Sequence, residues 1–293
     1  MPRRRSTRGS TGGSTHGSTH GSTHGSTQGP RDGSRDAQAS SPSARHRATE
    51  AAAKDPGATL PEQLHAGLTA LGITPEPVLL EGLFAYVTML TKWNRVYNLT
   101  AVRDTHAMLV QHLFDSLSVL GPLQQAWAER APARARSTQL AGENGVCAAP
   151  QGPLLADIGS GAGLPGIPLA LAWPALHCTL VEPVAKKAAF LRQAAGELGL
   201  TARLDVAERR IQQLQAPMRF DFMICRAYAS LAQFVDDVGH LVDPDTQLLA
   251  MKGVYPTLEI EAVPPPWRCT EVRALRVPSL AAQRHLVYLQ PGP

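Results

Sequence analysis

The segment Leu154-Leu155-Ala156-Asp157-Ile158-Gly159-Ser160-Gly161-Ala162-Gly163 carries the strongest structural signal in the chain. Its first five residues are apolar apart from one aspartate, and they predict a buried β-strand. The three glycines allow the backbone to turn sharply and to approach a ligand closely. A helix is expected after Pro165. In α/β proteins, a glycine-rich turn at the carboxyl end of a strand is a typical ligand-binding position.

Strands and helices alternate from this segment to the C-terminus. Helical patterns separate the earlier strands, so the sequence predicts an α/β fold with a mostly parallel, doubly wound sheet. The last two strands are close together after Pro278 and predict an antiparallel hairpin. The predicted strands are Leu154–Ile158, His177–Val181, Arg203–Val206, Asp221–Cys225, Gln247–Met251, Glu271–Val277 and Arg284–Leu289.

The chain before the sheet divides into three predicted parts. Residues 1–58 contain three Gly-Ser-Thr-His repeats and little apolar surface, which predicts a disordered tail. Apolar residues at helical spacing predict a helical N-terminal unit over 59–127, including a helix from about Thr105 to Leu120. Residues 128–152 are rich in Ala, Arg, Gly and Pro without periodicity, and they predict a flexible insertion. The α/β domain then spans 153–293.

Composition narrows the class of protein. The first 50 residues hold eight arginines and three acidic residues, so the net charge of +4 belongs to the tail and the rest is nearly neutral. No apolar run is long enough to span a membrane, and no secretory signal is visible. The four cysteines are far apart, which favours free thiols over a disulfide or zinc framework. We therefore expect a cytoplasmic protein with no membrane segment and no metal site.

Two cofactors compete for the glycine-rich turn. Gly161-x-Gly163-x-x-Gly166 matches the dinucleotide fingerprint. Pro165 inside it and Asp157 beside it argue against a pyrophosphate, whereas a carboxylate suits the cationic amino-acid end of S-adenosylmethionine. Glu182 ends the second predicted strand, where a carboxylate can accept hydrogen bonds from the ribose hydroxyls of either cofactor. These residues favour a nucleotide-like cofactor over a purely structural turn.

Seven strings, taken in chain order, resemble one family. They are similar to the bacterial 16S ribosomal RNA guanine-N7 methyltransferases, also called glucose-inhibited division protein B. The resemblance covers about residues 60–290, and the tail and the insertion have no counterpart in it. The strings are Trp93–Thr100, Arg103–Asp104, His112–Ser116, Asp157–Pro168, Phe190–Gln193, Cys225–Ala227 and Met251–Gly253.

The resemblance implies a class I methyltransferase fold, with a Rossmann-like sheet of seven strands and a helical N-terminal unit. It implies S-adenosylmethionine as donor and a guanine in the 530 loop of 16S ribosomal RNA, position 527, as acceptor. The partner is then 16S ribosomal RNA or the small ribosomal subunit. The family often has an acid at the position of Gln212. Together with Glu182, the residues placed at the cofactor are Gly159, Leu164, Ile211, Gln212 and Arg226.

Basic residues near the predicted strand ends are candidates for contact with substrate RNA. A surface ion pair or a solvated helix face explains them about as well. Guanine N7 carries a lone pair and no proton at neutral pH, so the resemblance implies no general base. The candidates are Arg226, Lys252, Lys186, Lys187 and Arg192.

Two further pairs of side chains lie at helical spacing. For His112 and Asp115, three residues apart, we favour a buried polar cluster over an acid–base pair. Trp93 and Tyr97, four residues apart, could stack on bases, and core packing is expected for at least one of them.

Three other functions remain open at the level of sequence. The protein could methylate another RNA base or a small molecule, which the identity of the acceptor would show. It could be a dinucleotide-dependent oxidoreductase, which a nicotinamide dinucleotide but not S-adenosylhomocysteine would stabilise. It could also be a catalytically silent RNA-binding protein, with affinity for RNA and none for the cofactor.

Overall fold

A computed structural model describes residues 57–143, 152–215 and 219–292. The predicted tail lies outside these residues except for its last two positions. Residues 144–151 of the predicted insertion also lie outside them. Where residues are described, they belong to one compact unit.

Seven strands form one sheet in the order β3-β2-β1-β4-β5-β7-β6. The first five are parallel, and β7 runs antiparallel to both β5 and β6. This order confirms the predicted α/β fold and the antiparallel hairpin. The strands are β1 (Leu154–Ile158), β2 (His177–Val181), β3 (Leu204–Ala207), β4 (Phe222–Arg226), β5 (Gln247–Lys252), β6 (Trp267–Leu275) and β7 (Arg284–Pro291).

The helices divide between the N-terminal region and the two faces of the sheet. A π-helix, Leu109–Phe114, separates α3 from α4, so the single helix predicted for this stretch is irregular. Short 3₁₀ turns occur at Ile211–Gln213 and Gly239–Leu241. The α-helices are α1 (Leu60–Ala70), α2 (Pro77–Tyr97), α3 (Thr105–Met108), α4 (Asp115–Leu117), α5 (Leu120–Glu143), α6 (Gly166–Ala172), α7 (Ala185–Glu197), α8 (Leu231–Val238) and α9 (Thr257–Glu261).

Helix α5 replaces part of the insertion predicted over 128–152. The structure continues this helix through Glu143, with Pro132 inside it, so residues 128–143 of the predicted insertion are helical. The physical reason is composition, because Ala, Arg, Gln and Glu all have high intrinsic helix propensity. Propensity alone favours a helix here even though the apolar periodicity is absent.

Side chains alternate between the two faces of β1 and so define two core clusters. Leu154, Ala156 and Ile158 point into the cluster that contains α8. Leu155 points into the other cluster, which also contains buried residues of α2, α6 and α7. Because strand residues alternate, Asp157 lies on the same face as Leu155. The N-terminal helices therefore pack on the face of the sheet that carries this aspartate.

Tyr86 joins the N-terminal helices to the glycine-rich turn. Its ring is fully buried in α2, and its hydroxyl donates a hydrogen bond to the carbonyl oxygen of Ala162 at 2.7 Å. Burial raises the pKa of this hydroxyl well above its usual range, so it is a permanent donor. The conformation of the turn thus depends on a helix 76 residues earlier in the chain.

We expect Tyr86→Phe to lower the free energy of unfolding by about 1–2 kcal/mol, because it leaves the buried Ala162 carbonyl without its donor. Denaturant unfolding followed by circular dichroism measures this. Tyr97→Phe removes the same hydroxyl from a ring that is 40% exposed. It should change the free energy by less than about 0.5 kcal/mol. Equal losses in the two variants would contradict the proposed role of the hydrogen bond.

Candidate active site

The glycine-rich turn is pinned to the neighbouring strand by its own backbone. Gly159, Gly161 and Gly163 have φ values of +70°, +59° and +88°, which L side chains rarely adopt. The amides of Gly159 and Ser160 both donate to the carbonyl oxygen of Val181, at 2.9 and 3.2 Å. The turn is therefore held at the carboxyl end of β2 as well as of β1.

Space beside the turn differs from glycine to glycine. A Cβ added to Gly163 would lie 2.4 Å from Cδ1 of Ile167, so this glycine is required for packing. A Cβ on Gly159 would meet nothing closer than the Tyr228 ring at 3.9 Å. A Cβ on Gly161 would meet only the Gly159 carbonyl oxygen, at 3.8 Å. The backbone of Gly159 and Gly161 therefore borders open space that a ligand can occupy.

Glu182 shapes the turn from the end of β2. Its carboxylate is buried, Oε2 accepts a hydrogen bond from the Gly161 amide at 2.9 Å, and Oε1 accepts one from the Val184 amide at 2.9 Å. Each carboxylate oxygen has two lone pairs, so both retain acceptor capacity. The sequence placed Glu182 at the ribose of the cofactor, and the structure places it directly against the turn.

Asp157 has one oxygen with a partner and one without. Its side chain is fully buried, Oδ2 accepts from the Gly166 amide at 2.9 Å, and Oδ1 has no hydrogen-bond partner. Burial raises the pKa of this carboxyl to about 7. An unpartnered buried carboxylate oxygen is costly. A cationic group bound here would supply the missing partner, as the amino end of S-adenosylmethionine would.

Ile211 and Gln212 lie just after β3. Ile211 is buried in the α8 face of the core, and the Gln212 amide donates to Oδ1 of Asp237 at 2.5 Å. Asp237, buried in α8, also accepts from the Tyr228 hydroxyl at 2.6 Å and the Gln233 amide at 3.0 Å. The side chain of Gln212 is thus engaged within the protein, and an acid lies directly beside it.

Tyr228 connects this region with the glycine-rich turn. Its ring lies beside Gly159 and its hydroxyl bonds Asp237, so Gly159 and Gln212 border one region. Leu164, at the far end of the turn, is buried and donates its amide to the Ser160 carbonyl oxygen at 3.0 Å. Sequence reasoning missed Tyr228, although it follows the Cys225-Arg226-Ala227 string by one residue.

Arg226 ends β4 and reaches the N-terminal helices. Its Nη1 lies 3.4 Å from Oδ2 of Asp115, an ion-pair distance without hydrogen-bond geometry. Its Nη2 lies 3.4 Å from Nδ1 of His112, whose Nε2 lies 2.8 Å from Oγ1 of Thr100. Burial, followed by the charge of Arg226, lowers the pKa of His112 to about 4.

The imidazole of His112 is therefore neutral near pH 7. Arginine can only donate, so Nδ1 accepts from Arg226 and Nε2–H donates to Thr100. This is the buried polar cluster that the sequence favoured. Asp115 contacts Arg226 in the same cluster, which leaves no acid–base pair between His112 and Asp115.

The other candidate cations differ in whether a carboxylate already forms an ion pair with them. Lys252, at the end of β5, pairs with Glu259 at 2.7 Å, and Arg192 pairs with Glu208 at 2.7 Å. Lys186 is exposed and Lys187 half-buried on α7, and neither has a hydrogen-bond or ion-pair partner among the described residues. The structure therefore brings Arg226 into the buried cluster and leaves the α7 lysines on the surface.

Trp93 and Tyr97 have separate roles. The Trp93 ring packs on Phe190 with 5.5 Å between centroids, and on Tyr97 at 5.0 Å. Trp93 thus belongs to the core, while the Tyr97 ring remains partly exposed. Among the residues that the structure describes, no group of His, Cys, Asp and Glu could hold a metal ion, and no helix could cross a membrane.

The strand order, with its reversed seventh strand, and the open space beside Gly159 and Gly161 define a class. They are those of the class I methyltransferases, for which S-adenosylmethionine is the methyl donor. The unpartnered Oδ1 of Asp157 and the side-chain-free edge of the turn both fit that donor.

Comparison with known proteins narrows the class to one family. The family described as rRNA small subunit methyltransferase G matches residues 79–128 and 146–287, and this chain belongs to it. Ribosomal RNA small subunit methyltransferase G of Aromatoleum aromaticum is 43% identical over 231 residues, covering 78% of this chain and 97% of the relative. The Ralstonia nicotianae protein of the same name is 42% identical over 230 residues, covering 78% and 95%. Membership decides against a dinucleotide-dependent oxidoreductase.

We expect the affinity for S-adenosylhomocysteine to depend on the ionisation of Asp157. Below its raised pKa of about 7, the carboxyl must lose a proton before it can pair with the ligand ammonium. The dissociation constant should therefore fall roughly tenfold between pH 6 and pH 7.5. Isothermal titration calorimetry at both pH values measures this. The dependence should disappear in Asp157→Asn and persist in Asp205→Asn, which changes an exposed aspartate of β3. A pH-independent wild type would contradict the pairing.

Proposed function

We propose that this protein transfers the methyl group of S-adenosylmethionine to N7 of a guanine in the 530 loop of 16S ribosomal RNA, at position 527. As a family member it is a ribosomal RNA small subunit methyltransferase. The observation that carries the proposal is the family match, which spans both the N-terminal helices and the sheet. The buried polar cluster joins these same two parts.

Each residue around the open space would contribute one contact to the cofactor. Asp157 would pair with the ammonium group, and the free lone pairs of Glu182 would accept the ribose hydroxyls. The backbone of Gly159 and Leu164 would border the cofactor, and Ile211 with the Gln212 backbone would border its adenine. When bound, the donor supplies an electrophilic methyl group on a positively charged sulfur.

Guanine N7 attacks with a lone pair and releases no proton, so no general base is needed. The engaged, neutral His112 agrees with this requirement. Rate acceleration then depends on holding N7 in line with the methyl carbon. Arg226 would hold the base, because a guanidinium can donate to the O6 edge of guanine. Its side chain is 22% exposed, so part of it can be reached from the surface.

The RNA partner would be 16S ribosomal RNA, free or in the small subunit, and the protein would act in the cytoplasm. The nearly neutral folded part implies that local cations supply the phosphate contacts. Lys186 and Lys187 have no ion-pair partner among the described residues, so they would contact phosphates directly. Arg192 and Lys252 would first exchange their carboxylate partners for phosphate.

Radiolabelled methyl transfer to small subunits from an unmodified strain, followed by mapping of the product, tests the proposal. We expect one N7-methylguanine in the 530 loop. Transfer to another base or to a small molecule would reassign the acceptor. RNA binding without S-adenosylhomocysteine binding would indicate a silent RNA-binding protein.

We expect Gly161→Ala to reduce affinity for S-adenosylhomocysteine at least tenfold, because its Cβ enters the space beside the turn. Gly199→Ala is the matched control. Gly199 has a similar φ of +65° and nothing within 4 Å of an added Cβ, but it lies outside the site. Both variants should lose about 1–2 kcal/mol of stability from backbone strain. Equal affinities in the two variants would contradict the assigned cofactor edge.

A further inference from the structure

Asp115 is a buried carboxylate shared by two arginines. Its Oδ1 accepts a hydrogen bond from Nε of Arg284 at 2.8 Å, and its Oδ2 lies 3.4 Å from Nη1 of Arg226. The Asp115 side chain is 3% exposed, whereas the two arginine side chains are 24% and 22% exposed. One negative and two positive charges leave an excess positive charge at this point, and both arginine side chains are partly exposed.

The direction of the last strand explains why Arg284 is here. β7 runs antiparallel to β5, so its first residue lies at the edge where β4 and β5 end. Lys252 pairs with His285 in this register, and Nδ1 of His285 lies 2.9 Å from the Gly253 carbonyl oxygen. A Cβ on Gly253 would lie 3.9 Å from Nη1 of Arg284. The sheet thus delivers a second arginine to the edge that carries Arg226.

The neighbouring cation does not add to this excess. Lys252 is neutralised by Glu259, whose Oε2 also accepts the Leu231 amide at 2.9 Å. Asp115 is the carboxylate that Arg226 and Arg284 share, and the charge of Arg226 also acts on the nearby carboxyl of Asp157. Arg284 is therefore the less compensated of the two arginines.

The guanidinium group of Arg284 also retains an unused donor. Arg284 donates Nε to Asp115 and Nη1 to the Gln283 carbonyl oxygen at 2.8 Å. Within the described ranges, no hydrogen bond involves its Nη2. Planar guanidinium donors match the oxygens of a phosphate better than a lysine ammonium does.

We propose that Arg284 binds a phosphodiester of the RNA beside the target guanine, and that Asp115 is a positioning residue that aims Arg284 and Arg226 together. This inference rests on the proposed function for the identity of the RNA. The phosphate would fix the register of the strand, while Arg226 meets the base. Arg284 thereby becomes a substrate-binding residue, contributed by the last strand of the fold.

Arg284→Gln tests the phosphate contact, and Arg268→Gln is the matched control. Arg268 is exposed on β6 and pairs with Gln290, at the opposite end of the β6–β7 hairpin from Arg284. The measurements are filter binding of a 16S RNA fragment containing the 530 loop at several salt concentrations, and calorimetry with S-adenosylhomocysteine.

We expect Arg284→Gln to weaken RNA binding about tenfold and to reduce the slope of log affinity against log salt by about 1. The affinity for S-adenosylhomocysteine should be unchanged, and Arg268→Gln should resemble wild type. Equal RNA affinities in the two variants would overturn the proposal. A loss of affinity for S-adenosylhomocysteine with unchanged RNA affinity would also overturn the proposal, because Arg284 would then bind the carboxylate of the cofactor. RNA binding is measured without methylation. A failure of this proposal can therefore be distinguished from a failure of the proposed function.

Asp115→Asn tests the positioning role. It removes a negative charge and keeps both arginines, so RNA affinity should equal or exceed wild type while kcat falls at least tenfold. If the role of Asp115 is purely structural, the variant should have a lower melting temperature without a fall in kcat at unchanged RNA affinity. A loss of RNA affinity would overturn the positioning role.

Arg284→Lys provides a second test for the event that Asp115→Asn does not fold. It keeps the charge and loses the planar fork of donors. We expect the salt slope of wild type with RNA affinity between those of wild type and Arg284→Gln. An affinity equal to that of Arg284→Gln, with a reduced slope, would contradict a phosphate contact.

Discussion

A carboxylate is costly to bury unless donors or cations compensate it. Of the four buried carboxylates in the part of the chain that the structure describes, three lie around one edge of the sheet: Glu182, Asp115 and Asp157. Glu182 is compensated by two backbone amides, one of which is that of Gly161 in the glycine-rich turn. Asp115 is compensated by two arginines from separate strands. Asp157 receives one amide and keeps one oxygen without a partner. The incomplete case is the carboxylate for which we propose a cationic ligand.

The same constraint makes the N-terminal helices part of the site. Asn94 is buried in α2, where its side chain accepts the Thr100 amide at 2.9 Å and donates to the Val102 carbonyl oxygen at 3.1 Å. These bonds shape the loop that presents Thr100 to His112, which in turn contacts Arg226. The residues from Asn94 to Thr100 thus contact, through His112, an arginine at the end of β4.

Local signals predicted the elements well. The apolar run of β1 and the glycines after it give the strand and the turn directly, because both depend on neighbours in sequence. The contacts of Tyr86 with Ala162, and of Asp115 with Arg284, were not predictable in this way. They join residues 76 and 169 positions apart, and only the folded topology brings them together. Asp237 was missed for the same reason, since an acid on an amphipathic helix resembles any solvated residue.

The π-helix makes the site sensitive to the number of residues in a helical segment rather than in a surface loop. A π turn holds more residues than an α turn, so removing one residue from Leu109–Phe114 could restore a regular α-helix without breaking the chain path. The residues within the segment, His112 among them, would then point in a different direction around the helix axis, by up to about 100°, while Asp115 and the flanking turns would keep theirs. His112 and Asp115 would no longer both face Arg226. Related chains should therefore vary in length at the ends of these helices and keep a fixed residue count between Thr105 and Leu117.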